Sequence, residues 1–373
     1  MKIAIQAADL DAKRIDGTRV YILNMLKYFG QLDGSSDFLL YHRNNFNPNL
    51  SPPDFPNYKI KKKPFPFVWT QTRFAFELQK DKPDILWMPM QALPILRSRR
   101  LKTVITVHDL AFKVFPKMFL KKDLWQLNFY ANYAIEKADK IIAVSASTKK
   151  DILHFYPKIN SKKVQVIHHG FDGDLFSTKI SDQKKLAFLA NYGLGNSQFL
   201  LYVGAIQPRK NLNTLVEAFV SLKKSGKYPE LKLVLAGAPA WKAEETFAVI
   251  ENSAYSKDII LTGGVSFSDL VKFYQYAETF IFPSLYEGFG IPILEAFACG
   301  TPVICANNSS LPEVAGEAAL YFESGNSMEL SEKIVRILGN EKEKEQLIER
   351  GFIQLGKFSW EKCARETLNF IKS

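Results

Sequence analysis

Two short stretches of this sequence gather residue types suited to work on phosphates and hydroxyl groups. In the first, Val203-Gly204-Ala205-Ile206-Gln207-Pro208-Arg209-Lys210-Asn211, an apolar strand runs into a polar turn that opens a helix. Arg209 offers a planar bidentate fork and Lys210 a compact point charge, an arrangement made for phosphate. Asn211 has the side chain of a helix N-cap. In the second, the apolar strand Phe280-Ile281-Phe282 runs into Pro283-Ser284-Leu285-Tyr286-Glu287-Gly288-Phe289-Gly290-Ile291-Pro292, a turn that two glycines keep open. Pro292 suits a first helical turn, and Gly300-Thr301-Pro302 stops the helix. Backbone N–H groups at Gly288, Phe289, Gly290 and Ile291, reinforced by the helix N-terminus, suit an anion or an electron-rich hydroxyl. Glu287 stands before the helix and Glu295 inside it, so the two carboxylates are about a nucleotide sugar's width apart. Singly, each feature is an ordinary basic helix start or a glutamate complementing a helix dipole. The ordered string favours a site.

Absent signatures narrow the chemistry. No GxGxxG follows a strand, which disfavours a nicotinamide dehydrogenase. The run Gly204–Asn211 imitates P-loop spacing, but Arg209 stands where a second glycine must admit phosphate to the backbone, which disfavours an NTPase. There is no GxSxG and no HExxH. The three cysteines, Cys299, Cys305 and Cys363, form no CxxC, which predicts a reduced cytoplasmic setting without structural zinc. No apolar run approaches the roughly 18 residues of a spanning helix, and Met1-Lys2-Ile3-Ala4-Ile5 does not read as a signal peptide.

The elements that must carry these residues are legible from the pattern. Short apolar, β-branched runs alternate with longer periodic segments over 373 residues, the form of repeated βα units, so the class is α/β. Strands are predicted near Lys2–Ala7, Phe38–Tyr41, Ile85–Met88, Thr103–Val107, Lys140–Ala143 and Val164–Ile167. The turn-rich His168-His169-Gly170-Phe171-Asp172-Gly173-Asp174 interrupts the series, which sets a hinge between Gly170 and Lys184. A second series follows, with strands near Phe199–Val203, Lys232–Ala236, Ile259–Leu261, Thr279–Phe282 and Pro302–Cys305, then three helices. The domains expected are 1–175, 176–357 and a terminal helix, 358–373, crossing back to the first. Two Rossmann-like, doubly wound halves would then face each other across a cleft.

The net charge of +11 draws the chain toward anionic partners. Lys59, Lys61, Lys62 and Lys63 precede Phe65, Phe67 and Trp69, and Lys113, Lys117, Lys121 and Lys122 are interleaved with Phe112, Phe115, Phe119 and Trp125. Such mixing suits an anionic membrane surface.

On these motifs the chain resembles the retaining GT-B glycosyltransferases of glycosyltransferase family 4. Their hallmark of Glu, seven residues and Glu at the start of a helix is matched by Glu287 and Glu295. Pro208-Arg209-Lys210-Asn211 is similar to an element of the family's cell-surface polysaccharide branch. The resemblance implies that Arg209 and Lys210 hold the donor diphosphate, Glu295 the ribose and Glu287 the transferred hexose. It also implies that the backbone of Val265, in Thr262-Gly263-Gly264-Val265-Ser266, touches the base, and that Gly17 and Thr18, in the loop after the first strand, contact the nucleotide-sugar donor. His108, in Thr106-Val107-His108-Asp109, would approach the sugar, and Val144-Ser145-Ala146-Ser147 would face the cleft near the acceptor. Ala205 stands where many members carry a further arginine, so diphosphate binding leans on Arg209 and Lys210. Asp9-Leu10-Asp11 and Asp172-Gly173-Asp174 mimic the metal-binding DxD of the other glycosyltransferase fold, but their positions give them little weight.

The expectation is a metal-independent hexosyltransferase, without cofactor, moving a hexose from a nucleotide diphosphate sugar to a glycan or lipid-linked acceptor. The resemblance implies retention and, through the Pro208–Asn211 element, mannose from GDP-mannose, while the residues alone do not choose among mannose, glucose, rhamnose and N-acetylglucosamine. It would be cytoplasmic, with peripheral contact at the inner face of the membrane and no nucleic-acid partner. The competing readings are a sugar-nucleotide epimerase on the same fold and a non-catalytic sugar-nucleotide or nucleic-acid-binding protein.

Overall fold

The computed structural model describes residues 1–13, 15–178 and 185–373. They form two compact units, Met1–Gly170 with Phe358–Ser373, and Phe171–Lys357. Part of the predicted hinge, residues 179–184, lies outside the described residues.

The first unit begins with β1 (Lys2–Gln6), α1 (Gly17–Leu32), β2 (Asp37–His42) and β3 (Tyr58–Lys62). It continues through α2 (Ala75–Asp81), β4 (Ile85–Met88), β5 (Lys102–Val107), α3 (Ala111–Val114), α4 (Lys121–Lys137), β6 (Lys140–Ala143), α5 (Ala146–Phe155) and β7 (Val164–Val166). The strands form one parallel sheet in the order β3-β2-β1-β4-β5-β6-β7. Helices cover both faces, so the central strands are apolar throughout: Ile3, Ala4, Ile5, Ile141 and Ile142 are fully buried. The order reverses between β1 and β4, which opens a crevice at their carboxyl ends.

The second unit repeats this scheme. It contains α6 (Lys185–Asn191), β8 (Phe199–Val203), α7 (Leu212–Lys224), β9 (Lys232–Ala236), α8 (Glu244–Glu251), β10 (Ile259–Gly263), α9 (Phe267–Tyr276) and β11 (Thr279–Phe282). Then follow α10 (Ile291–Ala298), β12 (Val303–Ala306), α11 (Leu311–Ala315), β13 (Ala319–Phe322), α12 (Ser327–Gly339) and α13 (Glu341–Leu355). Its parallel sheet runs β10-β9-β8-β11-β12-β13, with the reversal between β8 and β11.

The chain then returns to the first unit as α14 (Trp360–Lys372). Trp360, Cys363, Ala364, Thr367, Leu368 and Ile371 recur at helical spacing and are all buried, so one stripe of α14 is core. Its neighbour is α1, where Cys363 Sγ lies 3.9 Å from Met25 Sδ, and Lys372 closes the far end on Asp33 at 2.6 Å. A Cβ on Gly170 would sit 2.1 Å from the Trp360 backbone nitrogen, so only glycine permits this approach.

Two strands depart from expectation, and both are edges. β3 reads Tyr-Lys-Ile-Lys-Lys, whose charge suits a sheet edge. β13 is a four-residue edge strand beside β12. The fate of the β3 lysines also corrects the first basic cluster. Lys59 pairs with Asp37 at 3.0 Å, Lys61 with Asp81 at 2.6 Å and Lys63 with Glu77 at 3.3 Å. Trp69 is buried, stacked on Phe74, and donates its indole N–H to the Lys63 carbonyl. Those charges serve the first unit's own acids, and of the three aromatic rings only Phe65 and Phe67 are exposed.

Candidate functional site

Because β8 and β11 are neighbours, the loops that leave their carboxyl ends lie side by side. The Leu285 N–H donates to the Arg209 carbonyl at 2.9 Å, and the Asn211 side-chain amide donates to the Pro283 carbonyl at 3.2 Å. This corrects the capping role expected of Asn211. It adopts the left-handed conformation (φ 54°), makes no side-chain cap to α7, and instead ties the two loops together.

The cross-connection brings Arg209, Lys210 and Glu287 into one cluster. Lys210 Nζ lies 2.5 Å from Glu287 Oε1, and Arg209 Nη1 lies 3.2 Å from Oε2 while also donating to the Tyr286 carbonyl. Lys210 and Glu287 are buried, and the ammonium rests 5.1 Å over the Phe282 ring. Burial alone would raise the Glu287 carboxyl, but Lys210 and Arg209 outweigh it and hold it at about 2. Two cations against one carboxylate leave the cluster with a single positive charge.

The turn that presents Glu287 is braced from the β12–α11 loop, a support that the sequence reading missed. The Glu287 N–H donates to Ser309 Oγ at 3.0 Å, and the Ser310 hydroxyl donates to the carbonyls of Glu287 and Phe289. Asn308 holds the Ser284 carbonyl at 3.0 Å. The only advance signal was the turn-forming run Asn307-Asn308-Ser309-Ser310. Gly290 then opens α10 with φ 119°, a conformation that a side chain would strain, so Gly288, Phe289, Gly290 and Ile291 turn tightly into the helix.

Inside α10, Glu295 accepts a 2.9 Å hydrogen bond from Tyr274 on α9, a second partner that sequence reasoning missed. Burial lifts the Glu295 carboxyl to about 7, with the Asp172 charge adding to it and the Tyr274 bond acting against it. The two glutamates of the motif thus have opposite electrostatics: Glu287 is fixed as an anion, and Glu295 exchanges its proton near neutrality. Val265 is half-buried in the turn after β10, at the outer edge of the same sheet.

The first unit has its own concavity of about 500 Å³, at the carboxyl ends of β4 and β5. Gln91, His108 and Asp109 line it from the strand ends, Thr18 from the start of α1, and Asp123, Gln126, Leu127 and Tyr130 from α4. The α4 residues recur at one-turn spacing and so share one helix face. Gly17 begins α1 beside Thr18, after Asp16 caps the helix through the Arg19 N–H at 3.3 Å. His108 Nε2 lies 2.8 Å from the Pro89 carbonyl, and its ring meets Tyr21 edge-on at 5.1 Å. Burial lowers its pKa, so the ring is neutral, with Nε2–H donated to Pro89 and Nδ1 left as an acceptor. Ser145 caps α5 through the Thr148 N–H at 3.0 Å, a structural use of the segment expected to face the acceptor.

Both DxD look-alikes have local structural roles. Asp11 accepts from the backbone N–H groups of Arg43 and Asn44 at 2.9 and 2.6 Å. Asp172 caps a turn through the Leu175 N–H at 3.1 Å.

Residues 188–354, which carry the cation–carboxylate cluster, match the family model described as glycosyl transferases group 1, and residues 15–175 match the model described as Glycosyltransferase Family 4. The chain is 30% identical over 302 residues to O-antigen chain mannosyltransferase B of Escherichia coli, covering 80% of this chain and 77% of that protein. This chain belongs to the group 1 glycosyltransferases. A serotype-specific mannosyltransferase, WbdA of Escherichia coli, is 30% identical over 70% of this chain, which spans 32% of that longer protein. Among solved structures, Anabaena HepE in complex with UDP and glucose superposes with a TM-score of 0.77 at 16% identity, covering 100% of this chain and 99% of that one. WaaG, a glycosyltransferase involved in lipopolysaccharide biosynthesis, gives 0.75 at 15% identity, covering 99% of each. These likenesses establish the GT-B fold for this group 1 enzyme.

Proposed function

We propose that this glycosyltransferase moves mannose from GDP-mannose to a hydroxyl of a glycan or lipid-linked acceptor, with retention of configuration and without a metal ion. The observation that carries the reading is the buried Arg209–Lys210–Glu287 cluster at the strand reversal of the second unit. A nucleoside diphosphate leaves readily once its charge is neutralised, and a fixed pair of cations beside a glycine-bearing helix start supplies that neutralisation. In this reading Arg209 and Lys210 face the diphosphate, the backbone of Gly288 to Ile291 meets the phosphate or sugar, and Glu287 accepts from the hexose. Glu295 accepts from the ribose and the Val265 backbone meets the base. The first unit is read as the acceptor side; at its border with the donor, neutral His108 approaches the transferred sugar as a hydrogen-bonding group, and Gly17 and Thr18 contact the nucleotide sugar. The preference for mannose rests on the Pro208–Asn211 element and on the likeness to the two Escherichia coli mannosyltransferases.

Nucleoside diphosphate release tests this directly. A panel of nucleotide sugars is offered with and without glycan acceptors, in EDTA and then with Mg²⁺ or Mn²⁺ restored, and the product anomer is read by NMR. The reading expects GDP-mannose to be consumed only with acceptor, EDTA to be harmless and the anomer to be retained. Consumption of donor without acceptor, leaving an altered nucleotide sugar, would favour the epimerase. Binding without turnover would favour the non-catalytic alternative.

Membrane contact belongs to the same proposal. Among the described residues no helix is long and apolar enough to cross a membrane. The outward face of α4, opposite its buried Ala131 and Ala134, presents exposed Trp125 and Phe129 stacked at 5.7 Å, next to exposed Lys121 and Lys122. Aromatic rings flanked by lysines suit the headgroup layer of an anionic leaflet.

A further inference from the structure

The cavity of the first unit has a chemistry of its own. Its polar lining comprises Gln91, His108, Asp109, Asp123, Gln126 and Tyr130, with Thr18 at the rim. Two are carboxylates, two are amides that both donate and accept, and none of the described lining residues is lysine or arginine. Arg19, next to Thr18, is turned to other work: its Nε donates to the Asp9 carbonyl at 3.1 Å and its guanidinium pairs with Asp16. His108 is neutral for the reasons given above, and Asp109 already accepts from the Ala111 N–H at 3.0 Å, so its carboxylate is anchored in place. Met90, Ala92 and Leu127 complete the lining, and carboxylates, amides and a phenol set around such an apolar floor can bind several hydroxyl groups of a sugar at once while its C–H face rests on the floor. The same two negative charges repel an anionic ligand and offer it no counter-ion.

We infer that this cavity takes an uncharged, hydroxyl-rich sugar at the growing end of a glycan, and that it rejects phosphate- or carboxylate-bearing acceptors. The inference rests on reading the first unit as the acceptor side. In the transfer itself the acceptor oxygen bonds to C1 of the donor hexose, the C1–O electron pair departs with the diphosphate, and the acceptor hydroxyl's proton passes to that leaving diphosphate. An acceptor oxygen carried by a neutral sugar makes this a chain-extending step. An earlier transfer of a sugar or sugar phosphate to the carrier must supply the substrate, because a bare lipid phosphate would meet Asp109 and Asp123.

Saturation-transfer NMR on the full chain tests this without any donor. The probes are methyl α-mannoside, its 6-phosphate, the corresponding uronic acid and isopentenyl phosphate, at equal concentrations and low salt. The neutral glycoside is expected to bind at least tenfold more tightly than each anionic probe. Asp123→Lys should weaken the neutral glycoside at least fivefold and bring the two phosphates to equal or greater affinity. Asp123 is exposed on α4, and Gln126→Ala on the same face provides a second variant that should weaken the neutral glycoside alone. Equal or tighter binding of the anionic probes by the unaltered protein overturns the inference, as does absence of any saturation transfer to the neutral glycoside. Binding that neither variant changes also overturns it. Failure of the proposed function would appear elsewhere, as no nucleoside diphosphate release from any nucleotide sugar.

Discussion

Glu287 is a buried anion held between two cations, so its removal affects more than the sugar that it is proposed to contact. Truncating one member of such a cluster leaves charge buried without a partner, which costs about 3–5 kcal/mol. Lys210→Ala should therefore lower the melting temperature and weaken GDP binding by about 1–3 kcal/mol, the range for losing a charged hydrogen bond. Glu287→Gln should abolish transfer yet tighten free GDP, because it removes the carboxylate that competes with phosphate for Arg209 and Lys210. Calorimetry distinguishes the outcomes, and weaker GDP binding to Glu287→Gln would break the link between the cluster and the diphosphate. The carboxyl is depressed to about 2 in the folded state, so its contribution to stability is full above the unfolded value of 4.5 and is lost as pH falls toward 2. Glu295 behaves in the opposite sense. Its carboxyl is raised to about 7, so its stabilising contribution is full below 4.5 and is lost as pH rises through 7. If ribose needs the carboxylate, GDP affinity should climb about tenfold between pH 6 and pH 8, one pH unit either side of that value. Glu295→Gln should flatten the profile, and an unchanged slope in that variant would assign the titration to another group.

Among the elements, the helix starts and loop ends that form the site were legible from glycines, prolines and strand-like runs. β8, β9 and β11 span the residues predicted, because buried parallel strands are unbroken apolar runs whose ends are marked by polar turns. β3 was not legible, since its Lys59 and Lys61 are matched to Asp37 and Asp81 from separate segments. The Glu287 cluster joins residues 77 and 78 positions apart, so the sequence offered its members but not their pairing. Tyr274, Ser309 and Ser310 carried no recognisable motif because each acts through a tertiary contact. Across α3 and α4, alternating aromatic and basic residues looked alike in sequence, yet Phe112 on α3 is buried under Lys113 while Trp125 and Phe129 on α4 are exposed. That sorting moves the membrane prediction from the β3 lysines to α4. The double variant Trp125→Ala, Phe129→Ala should release the protein from anionic vesicles in co-sedimentation while changing stability by no more than about 0.5 kcal/mol, the usual range for surface positions. Unchanged pelleting would remove α4 from the contact.

Across the whole molecule, two sheets of the same winding each carry polar groups at their strand carboxyl ends, a net-positive cluster in the second unit and a cavity whose charged groups are carboxylates in the first. The proposed division of labour, phosphate on the second unit and sugar hydroxyls on the first, rests on that contrast. It also makes the stability of the units separable. Removing α14 strips the buried stripe of Trp360, Leu368 and Ile371 from α1, at about 1.5–3 kcal/mol for each large apolar side chain. A chain cut after Lys357 should lose the calorimetric transition of the first unit and keep that of the second. Survival of both transitions would mean that α14 contributes little to the first unit.

The return of α14 also sets an order of events on the ribosome. The β-strands of the first unit emerge early, but α1 waits with an uncovered apolar face until the entire second unit has been translated and Gly170 meets Trp360. Domains made vectorially usually finish in the order in which they are made. Here the second unit can close before the first, and the nascent first unit must pass that interval with a sticky seam that chaperones would be expected to shield.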